Sequence, residues 1–172
     1  CLVFAAPSVA LAKDQSKDTI ILVGGKSIKD VTVNGEAFAE VKYRAKSSSK
    51  TIEGKKILEI VHGKAPRPYK AGEGQRKGGQ YEKAIAYYKR ALKASGAKPW
   101  VKIYANFYLG ECYRLGGKSE GAVSFYKKAC ADKAHLLYPR ALIGLAQAQA
   151  ATRSWSDAIK NLTKISEGRY GL

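Results

Sequence analysis

Methionine is missing from all 172 residues, and the chain holds only three cysteines, two histidines and two tryptophans. Without methionine even at position 1, the chain is expected to be an incomplete translation product. With Cys1 set aside, Cys112 and Cys130 are too few for a disulfide framework. Each stands among apolar neighbours of helical spacing and reads as a small hydrophobe, with a single bridge between them left open. The only histidines, His62 and His135, are the only side chains able to carry protons near neutral pH. Neither has a partner nearby in sequence, so both read as surface or boundary residues. Acidic side chains are scarce and dispersed: 14 Asp and Glu stand against 31 Lys and Arg, for a net charge of +17. No Cys-x-x-Cys, His-Glu-x-x-His, phosphate-cradling glycine loop or Gly-x-Ser-x-Gly elbow is present. We therefore expect no catalytic residue, no metal site, no cofactor and no enzymatic activity.

What is present divides the chain. Residues 1–12 are apolar, too short to span a bilayer, and end in Ala10-Leu11-Ala12. They resemble the remnant of a secretory signal peptide, which implies export to the periplasm or cell envelope of a bacterium. Residues 13–18 form a polar linker. From residue 19 the apolar residues fall in short β-type runs: 19–23, then Ile28, Val31 and Val33, then Phe38, Val41 and Tyr43, then 51–52 and 57–61. Gly24-Gly25 marks a turn, Asn34-Gly35 marks the end of the second strand, and residues 46–50 read as an exposed loop. Five strands with no room for helices indicate a small antiparallel barrel-like module over 19–62. Pro66 and Pro68 then break regular structure, making 63–68 a linker.

Beyond residue 68 the apolar period becomes helical. Helices are expected over 69–77, 81–92, 103–115, 120–131, 141–151 and 154–165. The first is expected to be short or frayed, because Gly72 and Gly74 interrupt it. Pro139 can open the fifth, and Ser154 or Ser156 can cap the sixth. One spacing recurs three times. Gly72 leads to Ala84, Tyr88 and Ala91; Gly110 to Ala122, Tyr126 and Ala129; Ala146 to Ala158, Leu162 and Ile165. The three leading alanines lie 38 and 36 positions apart. A period of this size marks stacked supersecondary units, which hide their apolar faces only against neighbours.

These residues, with Gly79, Tyr81, Leu109, Tyr113, Gly117, Leu145 and Trp155, closely resemble tetratricopeptide repeats. Gln149 departs from the pattern, standing where the family prefers an aromatic, and Arg153 stands where it prefers glycine. The surplus over the family period of 34 residues falls between units, around 94–100 and 131–135. The resemblance implies a mainly α chain: a helix-turn-helix solenoid of about three repeats over 69–172, with further repeats expected beyond it. It also implies a concave groove lined by the first helix of each pair, at Tyr69, Glu73, Arg76, Tyr104, Phe107, Glu111, Arg114, Arg140, Ile143 and Gln147. A protein or peptide partner is expected there. The positive charge favours polyanions in general, and binding to nucleic acid, an anionic envelope polymer or lipid is the alternative. Nucleic acid is not expected, because Tyr88 and Tyr126 match packing positions and are not free to stack on bases.

Overall fold

The computed structural model describes residues 17–94, 98–168 and 170. The expected signal remnant and most of the first linker lie outside them. Five strands come first: β1 (Asp18–Leu22), β2 (Ser27–Glu36), β3 (Val41–Ala45), β4 (Ser48–Ile52) and β5 (Ile57–Val61). All neighbours are antiparallel, in the order β4-β3-β2-β1-β5. Gly24 and Gly25, at φ of 93° and 86°, make the β1–β2 turn that their pairing suggested.

The sheet does not close, which corrects the barrel-like expectation: β4 and β5 are its two edges and are not paired with each other. β4 is Ser-Ser-Lys-Thr-Ile and is almost wholly exposed, so it offers no apolar face to draw β5 round. The apolar side of the sheet, formed by Ile20, Val31, Val41, Tyr43, Ile57 and Ile60, is instead covered by Leu136 from the helical half. Three local readings change as well. Asn34-Gly35 does not end β2 but carries an irregularity within it, between Val33 and Gly35. Phe38 lies outside β3, and residues 48–50 belong to β4, whose polar side chains disguise a strand held by main-chain pairing to β3.

Six helices follow: α1 (Arg67–Lys77), α2 (Tyr81–Lys93), α3 (Pro99–Leu115), α4 (Ser119–Ala129), α5 (Tyr138–Ala151) and α6 (Trp155–Ser166). Prolines occupy the first turn of α1, α3 and α5, where a missing N–H costs nothing. Each helix packs on the next in sequence, so three hairpins stack in order. Ala84, Ala122 and Ala158 are buried at 0, 0 and 4 % exposure, and Tyr88 and Tyr126 at 0 %. Helix α1 is eleven residues long despite its glycines. Gly72 accounts for one of them, since a side chain there would lie 3.0 Å from the Tyr88 ring. Ser154 sits at the N-cap of α6 but makes no side-chain cap bond. Cys112 and Cys130 are free thiols, and burial pushes them up to about 11 and about 12, leaving both protonated and inert.

The inter-repeat segment before α5 is not slack. Phe38 N donates to Ala134 O and Leu136 N donates to Glu36 O, stitching the end of β2 to the chain between α4 and α5. The surplus residues of the third unit thus carry the sheet on the helices.

Candidate functional site

The first helices of the three hairpins are α1, α3 and α5, and they hold every residue expected in the groove. Those residues fall into three groups. Tyr69, Tyr104 and Phe107 are buried at 4, 1 and 3 % exposure. Glu73, Arg76, Glu111, Arg114 and Ile143 are partly exposed, while Arg140 and Gln147 face solvent.

The middle group repeats a device. Arg76 pairs with Glu73 at 3.3 Å and Arg114 with Glu111 at 3.4 Å, each across one helical turn. In the second unit the second helix, α4, adds a tyrosine to the same place. Tyr126 donates its hydroxyl proton to Glu111 and accepts from Arg114 Nε at 3.4 Å. Burial and the Glu111 charge hold the Tyr126 hydroxyl protonated far above its ordinary range. In the first unit Arg76 lies over the Tyr108 ring, 4.2 Å from its centroid. Much of this charge is therefore committed to holding hairpins together. The Glu-x-x-Arg spacing at 73–76 and 111–114 signals such pairing in the sequence. In the third unit Gln147 replaces the glutamate and Ala150 the arginine, so that surface is uncharged.

Within the buried group, Tyr104 marks a seam with the sheet. Tyr104 donates to Glu36 Oε2 at 2.7 Å. Around that carboxylate stand His62 Nε2 at 3.5 Å and His135 Nε2 at 3.8 Å. His62 stacks on Trp100 with ring centroids 3.7 Å apart, and Asp18 accepts from Val33 N and Gly63 N below it. Both histidines are boundary residues, as expected, but deeply buried ones, at 8 and 6 % exposure. Burial opposes the Glu36 charge, yet the bonds and charges of His62, Tyr104 and His135 outweigh it and hold its carboxyl below the usual range. Burial lowers the His135 imidazole despite the nearby carboxylates.

This cluster is not built for a metal. Leu137 N donates to His135 Nδ1 at 3.1 Å, which places the ring proton on Nε2, toward Glu36. A nitrogen carrying that proton cannot coordinate. Among the described residues no group of His, Cys, Asp or Glu has metal-ligand geometry, and no helix is long and apolar enough to cross a membrane.

Sequence reasoning missed the part of the sheet that reaches the groove. Side chains of two first helices reach strand β5: Arg140 Nη1 of α5 donates to Leu58 O at 2.9 Å, and Lys77 of α1 approaches Glu59 at 3.9 Å. Tyr108, also unforeseen there, shares a cavity wall with Leu58 and Arg140. No local signal in 57–61 points to helices some 20 or 80 residues away.

A search of curated proteins finds no match to this chain. The sequence model of the family described as Tetratricopeptide repeat matches residues 69–136, which span α1 to the segment before α5. The helix pairs and the small residues beneath Tyr88 and Tyr126 agree with this match, and residues 69–136 form a tetratricopeptide repeat region.

Proposed function

We propose that this protein is a non-enzymatic adaptor that binds a polypeptide partner on the face of α1, α3 and α5. Tetratricopeptide repeats generally mediate protein–protein interaction. The observation that carries the reading to this chain is the composition of that face. Arginine, a residue that dominates interface energetics, recurs along it at Arg76, Arg114 and Arg140, with Arg76 over the buried Tyr108 ring and Arg140 over the buried Phe107 ring. The adaptor works outside the cytoplasm, as the apolar start suggests, and associates with the cell envelope. Tyr88 and Tyr126 are fully buried, so neither is free to stack on the bases of single-stranded nucleic acid.

The test is a selection of displayed octapeptides against the full chain, followed by Kd measurement on Ile143→Arg and Gln147→Arg. Both side chains reach solvent from α5, so the fold tolerates the change. We expect at least one variant to weaken binding roughly tenfold, as loss of an interface anchor does. Selected peptides that bind both variants as tightly as the wild type would overturn the reading.

A further inference from the structure

Strand β5 carries one residue too many for its ladder. Ile21 pairs with Glu59 and Leu22 with Ile57, so Leu58 has no partner in β1. The bulge lets Ile57 and Ile60 both turn into the sheet core, where strict alternation would send them to opposite faces. It also leaves the Leu58 side chain 53 % exposed, beside Val23 at 64 %. Between this edge and helices α3 and α5 lies a cavity of about 150 Å³, walled by Val23, Leu58, Tyr108, Leu136, Pro139 and Arg140 among others. An apolar cavity of about this volume holds a benzene ring, so it admits one leucine or phenylalanine side chain.

The charge at its mouth is uncompensated. Arg76 and Arg114 each have a glutamate, but among the described residues no carboxylate lies within ion-pair distance of Arg140. Its contacts are the Leu58 carbonyl and the Phe107 ring, 5.3 Å from centroid to guanidinium carbon. The other charges on the cavity wall are already matched: Glu59 by Lys77 at 3.9 Å and Lys55 by Glu53 at 2.9 Å. A guanidinium with free donors fits a carboxylate in a two-pronged arrangement.

We propose that this cavity is the anchor pocket for a partner peptide, taking an aliphatic or aromatic side chain while an adjacent acidic side chain pairs with Arg140. The proposal rests on the adaptor reading above and names the partner's chemistry. The bulge gives the pocket its mouth, so the sheet and the helices build the site jointly.

The probe is 4-methylpentanoate, which joins the branched end of a leucine to a carboxylate, titrated into the ¹⁵N-labelled full chain and followed by NMR. Saturable shifts are expected at Leu58, Tyr108 and Arg140. The neutral 4-methylpentanamide, and the acid on Arg140→Gln, should each bind roughly tenfold more weakly, the worth of a charged hydrogen bond. Leu58→Trp, a change at an exposed position that fills the mouth, should abolish the shifts with the remaining spectrum intact. No saturable shifts at the cavity, or equal binding of acid and amide, would overturn the pocket. The display-selected octapeptides form a second arm. If they shift α1, α3 and α5 residues while the acid leaves the cavity untouched, the pocket falls and the adaptor reading stands. If neither binds, both fall.

Discussion

Tyr126 is clamped between two glycines from successive hairpins, Gly110 of α3 and Gly144 of α5. A side chain added at Gly110 would lie 2.7 Å from Tyr126 Cδ1, and one at Gly144 would lie 2.7 Å from its hydroxyl oxygen. One aromatic thus sets how closely the second unit and the third approach. Gly144→Ala is expected to destabilise the chain by about 1–3 kcal/mol through overpacking, and Gly110→Ala similarly. Gly74 has open space around it, so Gly74→Ala should stabilise by up to about 1 kcal/mol through helix propensity. Urea unfolding of the three variants checks both signs at once.

Arg153 occupies the turn after α5 at φ 61°, where Gly79 and Gly117 stand at 71° and 75° in the other two units. A side chain in this left-handed region costs about 1–2 kcal/mol. Arg153→Gly should therefore raise stability, by about 0.5–1 kcal/mol after glycine's greater unfolded freedom is deducted. Gly117→Ala should lower it by a similar amount. Thermal melts in one buffer would test the pair.

The three repeat-equivalent positions Tyr88, Tyr126 and Leu162 share a pattern but not an environment. The two tyrosines are 0 % exposed, whereas Leu162 is 49 % exposed because no described helix follows α6. Tyr88→Ala is expected to cost about 3–5 kcal/mol, like other large aromatic truncations in cores. Leu162→Ala should stay within about 1 kcal/mol, since little of its area leaves water. Equal losses at the two sites would contradict the packing described.

The seam is expected to weaken with acid in two stages. His135 is held below its ordinary value of 6.5, so the unfolded chain takes up its proton first and stability falls as pH drops below that value. Glu36 is held below 4.5, so its contribution is complete above that pH and is lost as pH falls through the lower folded value. His135→Asn should remove the earlier decline, and Glu36→Gln the later one. Chemical denaturation of the full chain between pH 7 and pH 3 would resolve them.

Five strands and six helices were legible because their signals are local: Gly24-Gly25 turns a hairpin wherever it lies, and the alanine–tyrosine spacing of α2 and α4 buries one face against any neighbouring helix. The pairing of β4 was hidden, because main-chain bonds hold Ser48 to Thr51 whatever their side chains are. The family likeness, too, was on the surface of the chain, being a spacing rather than a shape.

By itself, then, the sequence determined the helical hairpins, their order and the small residues on which each tyrosine rests. All of these depend on side chains a few turns apart. Only the tertiary structure decided that the sheet stays open, that His62 and His135 meet at Glu36, and that the bulge at Leu58 faces Arg140. Those contacts join residues up to 99 positions apart, and chain periodicity carries no record of which distant surfaces exclude water together. A strand edge and a helix end come to share a cavity only when both cores have formed.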